Sequence, residues 1–212
     1  MTLALLVIAG YLAGSMPFGY WLVRLTKGVD IRTVGSGNIG ATNVWRTYGL
    51  RYGLQVVILD MAKGFAPALA ATLVDGHLAG ALAGAAAMLG HWRPLFLGFA
   101  KGGKMVATAG GAFLGAAPAV GGIGVGIWIL VFLVTRYASV ASMVAAASLP
   151  AVAAGLGYPW PVIAFGGAAA AAVIVLHRAN IRRLLAGTES RFDFRRKRAP
   201  AGRAEPSSGQ AP

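Results

Sequence analysis

The chain has 212 residues, 57% of them hydrophobic, with a formal charge of +13, a mean hydropathy of +0.68 and no cysteine. That apolar content excludes an ordinary soluble domain and makes an all-α integral membrane protein the expected class. Without thiols, disulfides, a cysteine nucleophile and thiolate metal sites are all excluded.

Seven apolar stretches approach the length needed to cross ~30 Å of hydrocarbon: residues 3–25, 52–74, 77–90, 104–118, 119–134, 139–155 and 160–177. The third and fourth fall short of ~20 residues, so tilt or a partly interfacial position is expected for them. The first has neither a basic region before it nor a small-residue cleavage site, and reads as a retained helix rather than a signal peptide. Runs such as "LAGALAGAAA" and "GGIGVGI" supply the small residues that let membrane helices pack closely.

Charge then fixes the expected topology, because short cytoplasmic loops collect Lys and Arg. Seven crossings put Arg24, Lys27, Arg32, Arg46 and Arg51, then Arg93, Lys101 and Lys104, then Arg136, then every basic residue from Arg178 onward on one side. Only Lys63 falls inside a crossing. The expectation is a compact bundle of about seven transmembrane helices, N-terminus outside and C-terminus cytoplasmic, in one membrane-embedded domain over residues 1–190. Residues 191–212 form a basic tail. Its "RFDFRRKR" suits anionic headgroups, and its "APAGRAEPSSGQAP" has almost nothing to bury and is expected to be disordered. A charge distributed this way favours membrane lipid over nucleic acid as the partner.

The first polar cluster follows the first apolar stretch. "VGSGNIGATNVWR", residues 34–46, fits G-x-G-x-x-G at Gly35, Gly37 and Gly40, but a dinucleotide fold needs that loop between a strand and a helix. What remains is an anion nest. Glycines let N–H groups approach an oxyanion, and a helix starting near Thr42 points its positive end there. Ser36, Thr42 and Asn43 add donors, and Arg46 can fork onto two phosphate oxygens. The alternative is a flexible turn with capping residues.

Asp60 and Lys63, in "LDMAKGFAP", are spaced i, i+3 inside an apolar helix. At membrane depth such groups pair or face the bundle interior, so they either form a structural ion pair or wall the site.

The second cluster is "HWRPLFLGFAKGGKMVAT", residues 91–108. Gly98, Gly103 and Lys104 fit the start of a Walker A loop, but Met105 stands where Ser or Thr would bind magnesium, which argues against nucleoside triphosphate hydrolysis. Lys101, Gly102, Gly103 and Lys104 still have the parts of a phosphate cradle. They also suit plain cytoplasmic anchors.

The third cluster spans "TRYASVAS", residues 135–142, and "LHRANIRRLLAGTE", residues 176–189. His177 and Asn180 share a helix face; Ser139 and Ser142 either line a site or bond back to their own helix. The three histidines, His77, His91 and His177, lack carboxylates at ligand spacing, so no metal is expected. No G-x-S-x-G elbow occurs.

Taken in order, "GSMPFGY", "DIRTVGSGNIGATNVWRTYG", "DMAKG", "GHWRPLFLGFAKGGKMVAT", "TRYASVAS" and "HRANIRRLLAGTE" resemble the successive motifs of the bacterial acyl-phosphate-dependent glycerol-3-phosphate acyltransferases, the PlsY family, from about residue 10 to 190. The resemblance implies a seven-helix inner-membrane enzyme with its site on the cytoplasmic side. Such an enzyme moves a fatty acyl group from acyl phosphate to the 1-hydroxyl of glycerol 3-phosphate, giving lysophosphatidic acid and inorganic phosphate, with no cofactor. Carried over by residue, Ser36, Gly37, Asn38, Thr42 and Asn43 would hold the acyl phosphate and Arg46 would reach phosphate. Lys101, Gly102, Gly103 and Lys104 would form a phosphate loop. Ser142, His177 and Asn180 would line the glycerol 3-phosphate pocket, and Glu189 closes the last motif. Ser36, Arg46, Lys104 and His177 are the expected catalytic residues.

Two positions depart from the pattern: Met105 stands where the family usually has glycine, and Ala179 where it usually has glutamate. A side chain at 105 restricts positive φ. The expected chemistry is direct attack, with a substrate phosphate oxygen taking the hydroxyl proton and His177 orienting. A transporter for glycerol 3-phosphate or phosphate is the competing reading, and would call for midplane breaks in paired helices; a non-catalytic lipid-binding scaffold is the third.

Overall fold

The computed structural model describes residues 1–192, and among these there are helices and turns but no strand. The rest of the predicted tail lies outside the described residues. In chain order the helices are α1 (Thr2–Gly14), α2 (Phe18–Lys27), α3 (Ala41–Tyr48), α4 (Leu50–Trp92), α5 (Val106–Ala116), α6 (Pro118–Thr135), α7 (Ala138–Gly155), α8 (Trp160–Leu176) and α9 (Arg178–Leu185). Each predicted apolar stretch is helical.

Two of those stretches differ from simple rods. The first breaks at Pro17, which lacks an N–H and sits between α1 and α2. The second and third are one 43-residue helical run that reverses at Asp75 and Gly76, where Gly76 takes φ +74°. Gly80 lies against Ala68 and Thr72, so the two halves of α4 pack back to back as a hairpin. Thr2–Lys27, Leu50–Leu97, Pro118–Thr135 and Ala138–Gly155 are each long and apolar enough to span a bilayer, and α8 with α9, bent by 57°, makes a fifth. At 11 residues α5 rises only ~16 Å and is too short to span alone.

Small residues set the packing distances. Gly10 and Gly14 of α1 press on the backbone at Ala83 and Ala87, while Gly64, Gly111 and Gly115 do the same along the seam of α4 and α5. A Cβ at any of these would meet backbone, which explains why the helices are so poor in bulky residues. The core centres on the stacked rings of Phe113 and Phe165, with centroids 4.4 Å apart. Outward, Leu5, Ile8, Ile58, Leu73, Leu130 and Leu133 are exposed. On a membrane protein these are lipid-facing.

The break at Pro17 has a partner. The Met16 carbonyl accepts from Lys63 Nζ at 2.7 Å, and Lys63 Nζ is 2.8 Å from Asp60 Oδ1, both side chains being almost wholly buried. The Asp60–Lys63 pair therefore rivets the break between α1 and α2 to α4, and Asp60 also forms part of the cavity wall described below.

Removing one partner strands the other charge in a dry interior. Lys63→Met should destabilise the fold by about 3–5 kcal/mol, read as a fall in the thermal unfolding midpoint in detergent. Adding Asp60→Asn should restore most of that loss, and a near-wild-type midpoint for Lys63→Met alone would contradict this role.

Candidate active site

At one end of the bundle, the loop after α2, helix α3, the loop between α4 and α5, the start of α7 and the chain after α8 converge. Asn38 Nδ2 donates to the Gly102 carbonyl at 3.3 Å, Lys104 Nζ to Asn180 Oδ1, Ser139 Oγ to Glu189 Oε1 at 2.8 Å, and Arg46 Nη2 to the Ser190 carbonyl at 2.6 Å. Each links segments far apart in sequence.

The first loop is shaped by two asparagines. Asn43, buried on α3, accepts from Ser36 N–H (2.9 Å) and donates to the carbonyls of Val34 (3.0 Å) and Asn38 (2.9 Å). Asn38 Oδ1 in turn accepts from Gly40 N–H at 2.8 Å. Gly35 and Gly37 take φ +61° and +68°, the left-handed turn that lets this happen. The side-chain amide of Asn43, expected from sequence to face an anion, is thus committed to the loop, although Asn43 lines the cavity together with Ser36 and Thr42.

The second loop corrects the sequence expectation more sharply. The N–H groups of Gly102 and Gly103 donate to the carbonyls of Trp92 (2.9 Å) and His91 (3.0 Å) at the end of α4. They are not presented to an anion. Glycine is required there because a Cβ at 102 or 103 would collide with His91 and Pro94. The cationic group of this loop that lines the cavity is Lys104, with Lys101 beside it in a smaller cleft. Met105 adopts φ +68°, the conformation that glycine would take freely, and is buried among core residues (3% exposed). The loop keeps its left-handed turn in spite of the side chain.

Glu189, which the sequence marked only as the end of a motif, is the hub of the third cluster. Its Oε1 accepts from Ser139 Oγ (2.8 Å) and Asn180 Nδ2 (2.7 Å), and its Oε2 from Arg183 Nε (2.7 Å). Burial pushes the Glu189 carboxyl up, but these three donors together hold it below its ordinary value. Ser142 Oγ donates to the Ala138 carbonyl (2.6 Å) and accepts from Trp128 Nε1 (3.1 Å). His177 Nδ1 lies 2.8 Å from the Val173 carbonyl; the neutral tautomer that donates there carries its ring lone pair on Nε2. Among the described residues, no three His, Asp or Glu side chains converge as metal ligands would.

These groups enclose a cavity of about 420 Å³, apolar along one end, where Leu54, Met61, Phe113, Val125 and Leu149 line it, and polar at the other. A second cleft of about 130 Å³ adjoins it, and Ser36, Asn38, Lys104, Asn180 and Arg183 border both. Helices α3, α5 and α7 all begin at the polar end, where Ala41, Val106 and Ala138 line the wall. Their first-turn amides lack intrahelical acceptors, which adds positive potential. Burial lowers Lys104 to about 8, with Arg183, Lys101 and Arg46 adding to the effect and Glu189 opposing it. Arg46 is likewise lowered by burial, and as a guanidinium stays charged. Such a site suits an amphiphile with an anionic head, next to a second, smaller anion.

The family model described as glycerol-3-phosphate acyltransferase matches residues 4–187. The chain belongs to the glycerol-3-phosphate acyltransferase family. It is 45% identical to a glycerol-3-phosphate acyltransferase of Desulforudis audaxviator over 92% of this chain and 98% of the relative. With its counterpart in Aquifex aeolicus it shares 47% identity over 88% and 97% respectively. It is also similar to the crystal structure of PlsY, an integral membrane glycerol 3-phosphate acyltransferase, in its glycerol 3-phosphate form (TM-score 0.87, 45% identity, 91% of this chain and 96% of that one). The lysophosphatidic acid form of PlsY gives a TM-score of 0.85 at 44% identity over the same shares. Ala179, one of the two positions noted above as departing from the motif pattern, borders the small cleft.

Met105→Gly sets two effects against each other. It relieves about 1–2 kcal/mol of left-handed strain but removes a buried side chain worth about 2–5 kcal/mol. Burial wins, so the variant should unfold about 1–3 kcal/mol more easily in a detergent melt. A raised midpoint would mean that strain dominates at this position.

Proposed function

We propose that the chain transfers a fatty acyl group from acyl phosphate to the 1-hydroxyl of glycerol 3-phosphate, releasing lysophosphatidic acid and inorganic phosphate. The observation that carries this reading is the junction at Lys104, which borders both a cavity with an apolar end and a compact polar cleft. An acyl phosphate matches the first and a small polar phosphate ester the second. Family membership supports the acceptor, and the resemblance of the motifs together with the apolar end of this cavity supports acyl phosphate as the donor.

Acyl phosphate is a mixed anhydride and already activated, so no covalent enzyme intermediate is required. The obstacle is repulsion: two unit charges ~5 Å apart at an effective dielectric of about 20 repel by roughly 3 kcal/mol, and phosphates carry more than one. Lys104, Arg46, Lys101 and the helix starts offset that repulsion while holding the hydroxyl near the acyl carbon. The hydroxyl oxygen attacks the acyl carbon, the bond to the phosphate oxygen breaks, and a substrate phosphate oxygen takes the proton. Asn180, which borders both pockets, holds the glycerol, and His177 and Ser142 on the larger cavity orient its hydroxyl where it meets the acyl carbon; Ser36 and Thr42 face the acyl phosphate. Asn38, Asn43, Gly37, Gly102 and Gly103 act through the shape of the two loops.

The same reading places about seven crossings in a bacterial inner membrane, with the N-terminus outside and the site and C-terminus cytoplasmic. Three features support it: the one-sided Lys and Arg, the reversal at Gly76 that makes two passes of α4, and the bent pair α8 and α9.

Purified protein given acyl phosphate and labelled glycerol 3-phosphate should form labelled lysophosphatidate with release of phosphate. Uptake into vesicles without that product would favour transport instead. Lys104→Ala should lower kcat/KM by about 10²–10³-fold. Because Lys104 acts as a cation and is lowered to about 8, kcat/KM should fall as pH rises through 8. In Lys104→Arg that alkaline limb should move to higher pH, and a limb that stays in place would remove Lys104 as its source.

A further inference from the structure

Arg46 has an unusual pair of partners for a cation at the rim of the site. Its Nη2 donates to the carbonyl of Ser190 at 2.6 Å, and its guanidinium lies over the ring of Phe192, 4.5 Å from the centroid. Both belong to the last described turn of the chain, beyond residue 187, where the match to the family model ends. The tail expected from sequence starts at 191, yet Phe192 is buried and packs between Trp45 (4.7 Å) and Phe132 (5.1 Å). Phe192 N–H donates to the Arg136 carbonyl at 2.9 Å, and Arg191 Nε to the Thr135 carbonyl at 3.0 Å. Residues 190–192 are therefore fastened to the turn between α6 and α7 and to α3 at once.

We propose that residues 190–192 form a strap that positions Arg46 for the reaction, with Phe192 as its anchor and the Ser190 carbonyl as its contact. Two physical points carry this. A free arginine has a large rotamer entropy, and a planar guanidinium clamped between a carbonyl and a ring has lost it before substrate arrives. Secondly, a carbonyl dipole and an aromatic face hold the cation without cancelling its charge, whereas a carboxylate would neutralise it. Glu189 is close enough to act electrostatically on Arg46. Without the strap the guanidinium is free to turn toward that carboxylate, and the site loses a cation to an internal pair. Phe192 touches no reacting atom. It is a positioning residue.

The inference rests on the acyl-transfer reading, and wild-type turnover of acyl phosphate and glycerol 3-phosphate serves as its control. A wild-type chain that makes no lysophosphatidate would sink that reading, whereas the strap stands or falls on comparisons between variants of the active enzyme. Phe192→Ala should lower kcat/KM by roughly tenfold, the scale of re-ordering one rotamer-rich side chain. In an Arg46→Lys background the same substitution should cost less than about twofold, because the interaction it supports is already gone. Phe192→Tyr, which keeps the ring, should restore the wild-type rate. Should Phe192→Ala not yield folded protein, Phe192→Leu keeps apolar volume while removing the ring face, and the same two-background comparison applies. Equal losses in both backgrounds would reduce the strap to a structural support and overturn the proposal, as would an undiminished rate for folded Phe192→Ala.

Discussion

The structure depends on holding cations in a poorly solvated site without neutralising them. Lys104 is half-buried and Arg46 lies at the rim of the cavity, and each takes a neutral acceptor: the Asn180 side-chain oxygen for Lys104, the Ser190 carbonyl and the Phe192 ring for Arg46. The carboxylate nearest to them, Glu189, is already engaged by Ser139, Asn180 and Arg183. A buried charge with no counter-ion is costly. That cost is what makes the site attract anions, and burial accounts for the lowered value of Lys104.

Stability is supplied by groups other than these cations so that the site can bear this cost. The Asp60–Lys63 pair is the opposite arrangement, a neutralised couple locked to the carbonyl released at Pro17. Close glycine contacts between α1, α4 and α5 and the stacked pair Phe113 and Phe165 provide dense packing around it. The glycines of the second loop serve the same end, bringing residues 102 and 103 against His91 so that Lys104 leaves the loop at a fixed place.

The legible part of this was local or one-dimensional. Apolar runs gave the helices, and the grouping of Lys and Arg pointed to one polar end, because hydropathy and charge are written directly along the chain. The candidates Ser36, Arg46, Lys104, His177 and Asn180 do line one cavity. Less legible was which atoms are free to act. Asn43 and the amides of Gly102 and Gly103 have donors that suit an anion, yet folding commits them to neighbours whose approach only the tertiary structure defines. Glu189 as a hub, Arg183 on the cavity wall and Phe192 beneath Arg46 depend on contacts across as many as 146 positions (46 to 192). Met105 is a different case: its left-handed turn runs against residue preference, and the closing of the loop on α4 overrides it.

The most direct test exchanges charge without changing shape. Asn180→Asp replaces the neutral acceptor of Lys104 with an isosteric anion, whereas Asn180→Ala removes the acceptor and leaves no charge; both lose the bond to Glu189, so the difference between them reads the added charge. If uncancelled charge is what the site needs, kcat/KM for lysophosphatidate formation falls further in Asn180→Asp than in Asn180→Ala, although the aspartate can still hold Lys104 in place. An Asn180→Asp enzyme as active as Asn180→Ala, or more so, would contradict the account.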